Sequence, residues 1–132
     1  IGAVSSHDIS LPLSKIGNFI EEARVEISKL GNFRINCFGH LGDGNLHFNI
    51  FPNKGEKREE HDHVRPTIKT TIHDLVHLHG GSVSAEHGIG RLKINDLVKY
   101  SDPIKLKLNK SIKSVMDPNG ILNPGAIFGY NP

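Results

Sequence analysis

The chain has 132 residues, 36% of them hydrophobic and 23% charged, with a formal net charge of +2. That length sets one domain with one core as the starting expectation, and acids interspersed among the lysines and arginines leave no basic stripe for nucleic acid. No apolar run nears the ~20 residues of a membrane span and no secretory leader pattern opens the chain, while nine histidines form a surplus that points to metal or acid–base chemistry.

A single cysteine, Cys37, excludes an internal disulfide and indicates a reducing, cytoplasmic setting. Its place in an apolar strand marks an inert buried thiol rather than a nucleophile. The opening IGAVSSHDISLPLSK lacks an initiator methionine and reads as part of something longer.

In chain order, SHDISLPLS is an extended lead-in to a helix capped by Ser14. Ile16, Ile20, Ala23, Ile27 and Leu30 recur there at helical spacing. Gly31 and Asn32 stop that helix. FRINCFG and NLHFNIF alternate as two strands. FPNKGEKREE is a polar connection into a helix predicted over Lys57 to His79, closed by Gly80 and Gly81. SVSAEHGIG is predicted as a short strand with a glycine-rich end, and RLKINDLVKY as a helix carrying Leu92, Leu97 and Val98. SDPIKLKLNKSIKSVM is a helix capped by Asp102 with Pro103 first, its apolar face formed by Ile104, Leu108, Ile112 and Val115. DPNG is a turn, and ILNPGAIFGYNP a loop or short strand. The fold class is α+β, a small antiparallel sheet packed by helices with a helical C-terminal segment.

If residues 41–44, LGDG, close a four-residue hairpin loop, then 40 faces 45, 38 faces 47 and 36 faces 49. Side chains alternate across a strand. One face then holds Asn36, Phe38 and His40 opposite Asn45, His47 and Asn49. The other, holding Ile35, Cys37, Phe48 and Ile50, should meet the helices. Diagonal partners such as His40 and His47 lie roughly 7–8 Å apart between α-carbons, a gap two imidazoles can close onto one ion. A solvated polar strand face with a tight turn is the alternative, and the hairpin alone leaves both open.

AEHGIG sets Glu86 and His87 beside two glycines. Adjacent strand residues point apart, so both serve one site only if the backbone bends there, as Gly88 and Gly90 permit. His40, His47 and Glu86 would then form a metal set with open positions, suited to zinc, or to manganese or iron. His87 beside it would be the general base; a solvated loop is the competing reading. His73 and His77, at i and i+4 in HDLVHLH, share the spacing of zinc-protease helices. Asp74 replaces the usual glutamate, however, and no third ligand follows. They define an alternative, a metal-dependent hydrolase; a non-catalytic metal-binding or interaction module is another. GDGN is no dinucleotide fingerprint, because it lies between antiparallel strands.

FGHLGDGNLHFNI, then SAEHGIG, then DPNGILNPG, with HDISLP before them, resemble the C-terminal domain of FAD-linked oxidases. These are the D-lactate, glycolate and D-2-hydroxyglutarate dehydrogenases of the vanillyl-alcohol-oxidase type. The resemblance spans nearly the whole chain. It implies FAD as cofactor, a ferredoxin-like cap portion with closing helices over residues 1–132, and a flavin-binding domain N-terminal to it. It implies a divalent metal, zinc-like, on His40, His47 and Glu86. It gives His87 as catalytic base and substrate contact, Asn49 as substrate-binding, and Asn123 of NPG as lying near the flavin. The implied partner is a small 2-hydroxy acid, with a homodimer as an open arrangement. Ser6 stands where the family commonly has a lysine for the substrate carboxylate, and Ala126 where a lysine commonly follows NPG. The 132 residues alone are expected neither to bind flavin nor to turn over.

Overall fold

A computed structural model describes residues 2–129. The chain forms two compact units, Ile1–His87 and Gly88–Pro132. In the first unit the alternating lead-in is a true strand, β1 (Ser5–Ser10). It is followed by α1 (Ile16–Ser28), β2 (Arg34–Phe38), β3 (Asn45–Phe51) and α2 (Arg65–Leu78). The three strands make one antiparallel sheet in the order β1-β3-β2.

The register between β2 and β3 is the predicted one: Asn36 pairs with Asn49 and Phe38 with His47. β1 pairs with the other side of β3, setting Ser6 against Asn49, Asp8 against His47 and Ser10 against Asn45. Alternation then sorts the sheet into two faces. Ile9, Leu46, Phe48 and Ile50 are buried, with Phe19, Ala23 and Ile27 of α1 and Ile68, Ile72 and Val76 of α2. The rings of Phe19 and Phe48 meet edge to face, 5.6 Å between centroids. Ile35 and Cys37 are only half-buried, because β2 is an edge strand. Burial still raises the Cys37 thiol above its usual range, which keeps it protonated and unreactive.

Several boundaries differ from expectation for local reasons. Pro12, in an extended conformation, starts a 3-10 turn over Leu13–Lys15. Ser14 therefore falls inside that turn, and α1 begins after Lys15 without a side-chain cap. The helix predicted from Lys57 starts only at Arg65. A 3-10 turn covers Arg58–His61, and Pro66 fits only the first turn of a helix. Among the described residues SVSAEHGIG is not a strand: Ser82 alone bridges to Ser10.

The second unit holds α3 (Ile94–Tyr100) and α4 (Pro103–Met116). Leu92, expected in a helix, precedes α3 and is 92% exposed. Asp102 caps α4 as predicted, its carboxylate accepting from the N–H groups of Ile104 and Lys105 at 2.8 and 2.9 Å. Ile104, Leu108, Ile112 and Val115 share a stripe, but all are exposed; helical spacing sets the stripe, not what covers it. DPNG is a turn as expected. Asp117 accepts from Ile121 and Leu122 N–H groups and from Lys113 Nζ. The tail through residue 129 is turns with one bridge, Gly125 to Gly129; residues 130–132 lie outside the described residues. No helix among the described residues is long and apolar enough to cross a membrane.

Candidate metal and catalytic site

The polar face of the sheet in the first unit is ordered in cross-strand rows. One row is Ser6, Asn49 and Asn36; the next is Asp8, His47 and Phe38. Beyond them Ser10 pairs with Asn45, and the hairpin loop begins at His40. The loop is a 3-10 turn over Leu41–Asp43 closed by Gly44 at φ +70°. This is the left-handed geometry glycine adopts without strain.

Over this face comes the segment 82–87. It leaves Gly81 paired through Ser82 with Ser10 and then turns. The N–H groups of Glu86 and His87 both donate to one oxygen of Asp8, Oδ2, each at 2.9 Å. This carboxylate takes the donors that a strand would give to a neighbouring backbone, which explains why no strand forms here. The backbone bend needed for Glu86 and His87 to share a site is therefore present.

Among the described residues, one group offers three potential metal donors within 4.8 Å of one another: Asp8, His47 and Glu86. His47 and Glu86 are thus brought together as predicted. His40 reaches the group through Glu86, with Nε2 at 3.6 Å from Oε1, on an exposed side chain. His87 lies beside it, its ring centroid 6.1 Å from that of His47 and its Nδ1 3.7 Å from Asp8 Oδ2. Phe38 stacks at a tilt on His47, 5.2 Å between centroids. Asn49, half-buried, stands one row along from His47 on the same face.

Two residues of the cluster lie inside the quoted segments HDISLP and FGHLGDGNLHFNI but were given no role there. Asp8 is 6% exposed and faces His47, Oδ1 to Nδ1 at 4.0 Å. Asn45, 4% exposed, donates from Nδ2 to Glu86 Oε1, and its own Oδ1 is buried without a hydrogen-bond partner. Alternation of SSHDIS places Asp8 opposite Ile9, so a strand reading of the lead-in would have flagged it as facing out. Only the pairing with β3 supplies its neighbour. The donor chemistry fits a divalent ion: imidazoles with the Glu86 carboxylate in an open cluster, beside a second carboxylate, Asp8, whose Oδ2 is already taken by two backbone N–H groups.

The other histidine pair is not a site of this kind. His73 is 2% exposed and hydrogen-bonded to His7, Nε2 to Nδ1 at 3.2 Å, with Ser5 Oγ on the far nitrogen of His7. His77 is exposed. One member of the i, i+4 pair thus serves the core and the other faces away from it.

In the second unit Asn123 adopts φ +45°. Arg91 Nη2 donates to its Oδ1 at 3.2 Å and to the Pro124 carbonyl at 2.8 Å. The NPG turn is therefore fixed by a side chain that the motif did not include.

Comparison with known proteins gives the chain a family. The family described as FAD linked oxidases, C-terminal domain, matches residues 2–127. The chain is 40% identical over 130 residues to the mitochondrial D-2-hydroxyglutarate dehydrogenase of Arabidopsis thaliana, covering 98% of this chain and 22% of that protein. It is 39% identical over 124 residues to D-2-hydroxyglutarate dehydrogenase of Stutzerimonas stutzeri (92% and 26%). It is 35% identical over 120 residues to D-lactate dehydrogenase of Anaerostipes hadrus (91% and 25%). The chain thus spans about a quarter of the length of these relatives. With the family matched over almost its whole length, the chain belongs to the FAD-linked oxidases, as a C-terminal domain of that family.

Proposed function

We propose that this chain is the metal- and substrate-binding portion of an FAD-dependent D-2-hydroxy acid dehydrogenase that forms the 2-oxo acid. The D-lactate, glycolate and D-2-hydroxyglutarate class is the range of substrates. The observation that carries the reading is the meeting of His47 and Glu86, with His40 at its rim and His87 beside it, on one polar face. The names of the D-2-hydroxyglutarate and D-lactate dehydrogenase relatives support the substrate class. Their greater length supports a flavin domain elsewhere in the same polypeptide.

When bound, the flavin would supply the two-electron acceptor for the hydride of the carbinol carbon, and a divalent ion on His40, His47 and Glu86, zinc in the first instance, a Lewis acid for the substrate hydroxyl. The chain's residues do the rest. Asn49 donates to the substrate from the row beside His47. His87 turns Nδ1 toward Asp8, which leaves Nε2 to take the hydroxyl proton. Its exposed ring is reachable from solvent. Ser6, paired with Asn49, offers a hydroxyl where a lysine would offer a charge, so the substrate's carboxylate is held by other groups. Asn123 contributes to the flavin side. A single cysteine suits a reducing compartment, the cytoplasm in our reading.

The test is His87→Ala in the flavin-loaded enzyme, mixed anaerobically with D-2-hydroxy acids. Flavin reduction should fall by about 100-fold or more, the usual contribution of a general base, while metal content is unchanged. Reduction at the wild-type rate would overturn the assignment.

A further inference from the structure

Two consecutive residues of an extended chain direct their N–H groups, and their side chains, to opposite sides. Glu86 and His87 do not: both N–H groups converge on Asp8 Oδ2 at 2.9 Å, and Gly88 at φ +71° follows. Successive backbone N–H groups turned to one side form a concavity for an anion. Here the anion is built in. Asp8 is itself fixed, as a buried residue inside β1, and its carbonyl accepts from Ala85 N–H at 3.3 Å. From the neighbouring strand Asn45 grips the Glu86 carboxylate.

We propose that Asp8 is the positioning residue of this site: its carboxylate fills the concavity of the Glu86 and His87 N–H groups and so aims ligand and base at the same face. The inference rests on the metal-and-base reading above and names what orients it. Asp8 Oδ2 is engaged by two backbone donors, and Oδ1 faces His47 from outside hydrogen-bond distance. Its part is to hold, not to ligate. Charge-assisted hydrogen bonds of this kind are short and strong, and a site is only as exact as the shell that supports it.

The experiment has two readouts on the 132-residue chain. The first, without metal, is amide hydrogen exchange at Glu86 and His87. Asp8→Ala should speed it about tenfold or more, with Phe48 and Ile50 unchanged, and Asp8→Asn, which keeps an acceptor oxygen in place, should stay within about threefold of wild type. The second is zinc titration: affinity should fall about 10–100-fold in Asp8→Ala, as for other orienting groups, and recover in Asp8→Asn. If Asp8→Ala does not fold, Asp8→Glu replaces it. That variant keeps the charge but displaces it by one methylene, and it should be worse than Asp8→Asn in both readouts. Unchanged exchange in Asp8→Ala overturns the proposal, as does Asp8→Asn faring no better than Asp8→Ala or Asp8→Glu. Slow amides with zinc lost in Asp8→Asn also overturns it, by making Asp8 a ligand. A wild-type chain that binds no zinc sinks the metal reading alone, because the exchange readout still judges Asp8.

Discussion

Leu11 and Gly44 meet backbone to backbone. The Leu11 N–H donates to the Gly44 carbonyl at 2.9 Å, and a Cβ built on Gly44 would stand 2.1 Å from the Leu11 carbonyl oxygen. The turn that carries His40 is thereby seated on the chain leaving β1. Gly44→Ala meets both a left-handed φ and a backbone clash that no rotamer relieves. It should destabilise the chain by about 1–3 kcal/mol or more, measured by urea unfolding. A variant with the wild-type midpoint would show that the turn is not held this way.

Zinc binding separates the two histidine pairs. His47→Ala removes a proposed ligand and should weaken zinc by more than the roughly 100-fold typical of outer-shell changes; His40→Ala should weaken it too. His73→Ala should leave zinc affinity of the folded chain unchanged, yet destabilise it by about 1–3 kcal/mol by stripping a buried partner from His7. Isothermal titration and denaturation on the same three variants check both halves. Zinc lost on His73→Ala and kept on His47→Ala would return the hydrolase reading.

Added zinc should also protect the fold. At free metal about 100 times the dissociation constant, a site present only in the folded chain adds about 2.7 kcal/mol. Thermal unfolding with zinc and then with chelator measures it. A melting temperature indifferent to both would count against a preformed cluster.

Acid should loosen the turn after α4 only below the ordinary carboxylate range. The hydrogen bond from Lys113, joined by those from Leu122 and Ile121, holds the Asp117 carboxyl below its usual range. A carboxylate with a lowered folded pKa stabilises above its unfolded value, about 3.9, and that stabilisation is lost as pH falls through the folded value. The Ile121 and Leu122 amides should therefore stay protected from neutral pH down through the ordinary carboxylate range and open below it. Asp117→Asn should remove that pH step. Exchange measured across the acid range decides it.

The sheet face was legible because a short loop fixes a hairpin's register arithmetically. Asn36 opposite Asn49 and Phe38 opposite His47 follow from four loop residues alone. The same arithmetic cannot see β1, whose pairing with β3 spans almost forty residues and is decided by which face the helices bury. The role of Asp8, a residue of the HDISLP segment, could not be read for that reason, although its neighbour His7, on the opposite face, belongs to the core. Phe19 escaped the list of helical apolar positions but fills the centre of the packing against Phe48, while Leu30, on that list, is only half-buried. The segment 82–87 misled in a different way. Its composition alternates like a strand, but a single side chain competes successfully for its N–H groups. The stripe of α4 reads correctly as the apolar face of a helix, while its exposure could not be read, since periodicity reports a shape and not a neighbour.

The strand order β1-β3-β2 also fixes a sequence of events. β2 and β3 are joined by a short turn, and hairpins close in about 1–10 μs. Asp8, however, is made first and His87 some eighty residues later. During synthesis β1 can find its partner once β3 has emerged, yet the carboxylate it carries must wait, solvated, until residue 87 leaves the ribosome. The face that carries the candidate site is thus the last thing the first unit completes. Contacts of such long sequence separation slow folding, and changes at Asp8 should act on unfolding rates more than on the early collapse that buries Phe48.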